Sequence, residues 1–247
     1  MSRRVLAGAG LAVFALALIV TAPATLLDSR LARQSEGRIR LAEAQGTLWS
    51  GSGLVEIRAT NLQSGIAKHL RWRLRPAYLL RVQLVYEVFL DHAPNPFLVA
   101  LQRSRADVTD ADIALPAAAF GLAEPRLAAL ELTGDVQLHV ARLTLSSGTI
   151  QGNATLQWRA AGSALAPVSP LGDYELSLEG DGGAVRGSLR TLRGPLQLDG
   201  QGSWSPGRNP EFQGTARVPP QHQQQLTPLL RLIAIDRGGG IFSLQMK

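Results

Sequence analysis

Leu130-Glu131-Leu132-Thr133-Gly134-Asp135-Val136-Gln137-Leu138-His139-Val140 puts Leu130, Leu132, Val136, Leu138 and Val140 on one parity. Glu131, Thr133, Asp135, Gln137 and His139 take the other. Successive side chains of an extended chain point to opposite faces, so this period of two predicts a strand that is wet on one side and apolar on the other. The pattern returns at Ile150–Trp158, Tyr174–Leu178, Val185–Leu189, Leu196–Trp204 and Phe212–Val218. Glycines punctuate nearly every run, and several fall on the apolar parity, where a missing side chain relieves crowding on a curved sheet. Such spacing describes a series of antiparallel hairpins.

Working back toward the N-terminus, the same alternation holds in Leu70-Arg-Trp-Arg-Leu-Arg-Pro76 and in Leu80–Val88, and less clearly in Gly46–Arg58 and Phe97–Leu101. Between Ala106 and Ala129 the parity is lost, and only Pro116-Ala-Ala-Ala-Phe-Gly121 suggests a structure, one helical turn opened by proline. Toward the C-terminus, residues 221–233 carry apolar side chains at 226, 229, 230 and 233 and predict a short amphipathic helix. Gly238-Gly239-Gly240 then predicts a turn before a last strand, Ile241–Met246. The fold class expected is mainly β: curved antiparallel sheet or sheets of many amphipathic strands, with one or two short helices.

Ahead of the strands lies Val5–Ala24, an uncharged apolar run that follows Arg3 and Arg4. At ~1.5 Å per residue, about 20 residues reach across the ~30 Å core of a bilayer, and the arginines hold the N-terminal end in the cytoplasm. Two fates are open: retention as a signal anchor, which we favour, or cleavage after Ala22-Pro23-Ala24. Both export the remaining chain. Leu26 to about Leu41 is polar and helix-tolerant, and predicts a helical extension interrupted at Gly37.

Composition narrows the function. There is no cysteine, which excludes thiolate catalysis, disulfides and cysteine metal sites. Lys and Arg number 25 against 19 Asp and Glu, and without Arg3 and Arg4 the balance is 23 to 19. This excess is small and scattered, unlike the clustered basic face of a nucleic-acid binder. His69, His92, His139 and His222 stand apart with no partner at ligand spacing. Asp107, Asp110 and Asp112 lack the glycine and distal glutamate of a calcium loop. Asn153-Ala-Thr155 fits a glycosylation acceptor, but the strand pattern already explains it. No nucleophile elbow or phosphate loop is present. We therefore assign no catalytic, cofactor-binding or metal residues, no cofactor, and no enzymatic activity. Arg71, Arg73 and Arg75, with Arg81 at similar parity, form either a solvated strand face or a surface for anionic headgroups or an acidic partner.

Several phrases recur in one order: Gly46-Thr-Leu-Trp-Ser-Gly51, Trp72-Arg-Leu-Arg-Pro76, Pro170-Leu-Gly-Asp-Tyr174, Gly194-Pro-Leu-Gln-Leu-Asp-Gly200 with Trp204, and Leu226-Thr-Pro-Leu-Leu230. With the single anchor, they resemble the type II secretion system protein N family of Gram-negative bacteria. The family's closing Leu-Leu-Gly is here Leu232-Ile233-Ala234. The resemblance implies a single-pass inner-membrane protein: residues 1–4 cytoplasmic, 5–24 the signal anchor, 25–45 a linker or helical extension, and 46–247 a periplasmic β-rich domain. It implies an accessory, non-enzymatic scaffold whose partners are the inner-membrane platform proteins and the outer-membrane secretin. A contact with the secretin is expected to use an exposed strand edge, since unpaired edges readily add a strand. A looser resemblance, to the AsmA-type and lipid-transport β proteins, implies instead a periplasmic lipid-binding or lipid-transfer module with an apolar groove.

Overall fold

The computed structural model describes residues 14, 17–18, 20–58, 65–91, 93, 95–123, 125–205, 207–231 and 234–246. The expectation of a mainly β, antiparallel fold holds: these residues contain fourteen strands and a few short helices. The chain divides into two compact units, Met1–Asn95 and Pro96–Lys247.

The first unit carries helix Thr25–Gln34 and strands β1 (Ile39–Gly46), β2 (Ser50–Arg58), β3 (Gly65–Leu74) and β4 (Leu84–Leu90), each paired with its sequence neighbour. Leu27 and Leu31, one helical turn apart, pack on a small core of Ala24, Leu41 and Trp72. Room for the indole comes from Gly51, where a Cβ would lie 2.5 Å from Trp72 Cζ2. β1 falls in the stretch read as a linker. Glu43, at φ 52°, breaks its register between Ala42 and Gln45, and with it the alternation that marks a strand. Leu80–Val88 is corrected as well. Pro76–Arg81 is a 3-10 helix with proline in its first turn, and β4 begins only at Leu84.

The predicted span Val5–Ala24 lies outside the described residues except at Phe14, Ala17, Leu18 and 20–24. Among the described residues no helix is long and apolar enough to cross a membrane. Thr21 caps the helical residues, its N–H donating to Ala17 O at 2.9 Å. The next three residues belong to the β unit: Pro23 bridges Thr47, Leu48 N–H donates to Ala22 O at 2.9 Å, and Ala24 is buried. The triplet considered as a cleavage site is thus built into the fold.

The second unit contains β5 (Phe97–Leu101), β6 (Arg105–Pro116), β7 (Leu132–Ser146), β8 (Thr149–Ser163), β9 (Gly172–Asp181), β10 (Val185–Arg193), β11 (Gln197–Trp204), β12 (Glu211–Arg217), β13 (Ile235–Gly238) and β14 (Ile241–Met246). Neighbours in sequence are neighbours in the sheet from β5 to β12. The order then closes β12-β14-β13. The predicted amphipathic helix is present as Pro220–Leu230. It lays Leu226, Leu229 and Leu230 on Leu196, Ala216, Val218 and Phe242, which are all buried. β6 occupies the region whose alternation is lost. Asp110 at φ 57° flips the apolar parity from Ala106 and Val108 to Ala111, Ile113 and Leu115.

Candidate interaction surfaces

Several charges on the polar side of the second unit pair with one another across neighbouring strands. Glu175 accepts from Gln157 on β8 (3.1 Å) and from Arg190 on β10 (2.5 Å), so three strands share one pairing. The Arg190 guanidinium, then Gln157, holds the Glu175 carboxyl below its ordinary pKa. Asp173 accepts the Ala160 N–H at 2.7 Å and the Arg193 guanidinium, and these lower it in that order. Asp181 caps its own turn through the Gly183 and Ala184 amides, both at 2.9 Å, and pairs with Arg186.

The histidines and aspartates weighed as ligands do not converge. His139 Nδ1 lies 2.7 Å from Asp112 Oδ1 as an exposed cross-strand pair. Asp107 instead binds Arg105 and Thr144 Oγ1 at the far end of β6, the arginine holding its carboxyl low. His69 lies in β3 of the first unit, His222 is half-buried beside Gln225, and His92 lies outside the described residues. Among the described residues no group of three His, Cys, Asp or Glu is placed to hold a metal.

The apolar side of the same unit is only partly filled. Beside the helix-covered core lies a cavity of about 270 Å³, lined by Phe120, Trp158, Tyr174, Leu189, Leu198 and Leu229, among other apolar groups. Phe120 meets Trp158 edge-on at 5.4 Å, and Trp158 meets Tyr174 at 5.9 Å. Both polar tips are satisfied at its wall: Trp158 Nε1 donates to Thr133 O (3.0 Å) and Tyr174 Oη to Leu196 O (2.9 Å). Burial pushes the Tyr174 phenol up, keeping it neutral. The volume is just below the ~300–1,000 Å³ of ordinary ligand pockets, enough for part of one acyl tail.

The two outermost strands differ. On the side of β1 away from β2, Asp28 Oδ1 accepts the Leu41 N–H and Ser35 Oγ the Ile39 N–H, both at 2.9 Å. Arg40 pairs with the same Asp28 carboxylate, and its hydrogen bond, then the Leu41 amide, holds that carboxyl low. β13 pairs with β14 alone, and its four residues are all exposed.

The arginine set divides as well. The Arg71 guanidinium lies over the Phe89 ring at 5.6 Å, and Arg75 pairs with Glu87. Arg81 is not on a strand at all; it sits in the 3-10 helix between exposed Leu80 and Val82. That helix ends in a Schellman closure, with Val82 N–H donating to Leu79 O (2.9 Å) and Gln83 N–H to Tyr78 O (3.2 Å). The left-handed position, usually glycine, is Val82 at φ 56°, a strain of roughly 1–3 kcal/mol for a branched residue. A sequence read in strand parity had no means of finding this turn. Its signal was Pro76 followed by Leu79-Leu80 out of phase.

No curated protein and no solved structure matches the chain. The family model described as type II secretion system (T2SS), protein N, matches residues 37–245, from just before β1 into β14. The match takes in strands of both units, and the chain belongs to the type II secretion system protein N family.

Proposed function

We propose that this type II secretion component is a non-catalytic scaffold, anchored in the inner membrane by Val5–Ala24 and presenting its strands in the periplasm. There it contacts the platform proteins and the secretin during export of folded proteins. The observation that carries the reading is the family match over residues 37–245. β13 is the contact edge we favour, because it pairs with β14 alone, whereas on β1 the Ile39 and Leu41 amides are taken by Ser35 and Asp28. Deleting the chain should leave exported enzymes stalled in the periplasm; an unchanged secretion profile refutes the role. With no native cysteine to interfere, Ile235→Cys in the full chain should crosslink to a secretin or platform subunit in cells. Crosslinks from Gln45→Cys on β1 but not from position 235 would move the contact to the other edge.

A second reading, a lipid-binding or lipid-transfer module, draws support from the apolar cavity at Phe120, Trp158 and Tyr174. Under it, lipid should co-purify with the full chain, and Leu189→Trp, which fills the cavity, should abolish that while secretion continues. A lipid-free preparation detected by mass spectrometry rules the reading out.

A further inference from the structure

The register of the first unit gathers three segments at one end of its sheet. Ser50 pairs with Arg73 and Gly51 with Trp72, so the β1–β2 turn and the β3–β4 connection lie at the same end. Leu74 N–H donates to Trp49 O at 2.6 Å, Leu48 N–H to Ala22 O at 2.9 Å, and Ala24 N–H to Gly46 O at 3.2 Å. The chain therefore leaves the apolar N-terminal run within hydrogen-bond reach of that turn, and does so through short, paired backbone.

The connection at this end has an unusual surface. Leu80 and Val82 are each 91% exposed and Leu79 is 44% exposed, on a turn that solvent would normally line with polar residues. At Val82 a branched apolar side chain is kept where glycine would remove the strain. Arg81 projects between the two, and Arg73 lies at the adjacent strand end; both are exposed and have no ion-pair partner among the described residues. No acidic residue occurs from Gly65 to Tyr86, and the first one beyond, Glu87, is occupied by Arg75. Bare leucine and valine flanked by arginine suit the boundary between headgroups and acyl chains, where apolar side chains sink roughly 5–10 Å and cations meet anionic lipid.

We propose that the turn Pro76–Val82 is a second membrane contact, inserting Leu80 and Val82 into the surface of the bilayer crossed by the N-terminal run while Arg81 and Arg73 meet anionic headgroups. This rests on reading Val5–Ala24 as a retained anchor. A single helix leaves the first unit free to swivel about its axis; a second point of attachment fixes which side of that unit faces away from the membrane.

The test uses the full chain reconstituted in vesicles, with one fluorophore-labelled cysteine at a time and nitroxide-bearing lipids as quencher. Leu80→Cys and Val82→Cys should be quenched several-fold more than Ala67→Cys, an exposed position six residues up β3 from Arg73. The difference should be larger with phosphatidylglycerol present than in phosphatidylcholine alone. Leu18→Cys reports the anchor separately. If position 18 is quenched while 80 and 82 match 67, the inference is wrong and the anchor stands, leaving the turn to a protein partner. If position 18 is not quenched, both fall together. Equal quenching in the two lipid mixtures would remove Arg81 and Arg73 from the contact.

Discussion

Two helices of nearly equal length serve the two units in different ways. Thr25–Gln34 lies along β1 and supplies polar groups, Asp28 and later Ser35, to backbone amides that would otherwise face outward. Pro220–Leu230 has little polar contact with its sheet and supplies three leucines to an apolar face. The first device blocks an edge; the second fills a core. The first unit therefore depends on directional hydrogen bonds around a small core, and the second on buried volume, which no change of pH removes.

The largest effect that could break this contrast is at Leu226, which is fully buried beneath the sheet. Leu226→Ala should cost about 2–5 kcal/mol, read as faster amide exchange across β11, β12 and β14, with β1–β3 unaffected. Next is Asp28→Ala, which strands the amide of buried Leu41 and should cost about 1–3 kcal/mol, with exchange rising first at Ile39 and Leu41. The same pairing predicts an acid response. Folding lowers the Asp28 pKa, so its contribution is complete above the unfolded value of ~3.9 and is lost as pH falls through the lower folded value. The β1 edge should accordingly loosen in acid in the wild type but not further in Asp28→Ala. Smaller and opposite in sign is Val82→Gly. Relief of left-handed strain, ~1–2 kcal/mol, exceeds the chain entropy glycine adds, ~0.5–1 kcal/mol, so the melting temperature should rise slightly. A fall would show that the branched side chain supports the fold itself. Smallest is Arg217→Ala: its partner Asp199 is 4.0 Å away with both side chains mostly exposed, and stability should move by less than about 0.5 kcal/mol.

Strand parity is legible wherever a strand runs unbroken, as in β9, β11 and β12, and illegible where an extra residue shifts phase. Glu43 in β1 and Asp110 in β6 are the instances that hid whole strands: each sits at positive φ, and each sends the apolar residues after it to the opposite parity. β7 is legible from Leu132 to Val140, while Leu130 and Glu131, placed by parity on the same strand, lie in the turn before it. Beyond the slip at Ala141 its apolar face passes to Leu143 and Leu145. β13 could not be read for another reason. Four exposed residues bury nothing, so no pattern of burial is written in them. The surfaces were less legible than the strands. The arginines of β3 were correctly seen to share a face, but Arg81 was placed by parity on a strand that does not exist there. The cavity depends on how far one helix covers a sheet, which residue spacing does not encode.

The pairing order of the second unit has a consequence for how the chain is made. From β5 to β12 each strand adds to the one synthesised just before it, so every pairing closes a short loop and little entropy is lost at each step. A chain threaded outward through a membrane pore can lay such a sheet down in order as it emerges, without waiting for distant segments. The exception is at the end. β14 passes over the helix and β13 to reach β12, and Phe242 brings the last of the buried side chains into the core. Folding of this unit would then finish only at its C-terminus, and a chain truncated before Ile241 would hold most of its strands with its core still open.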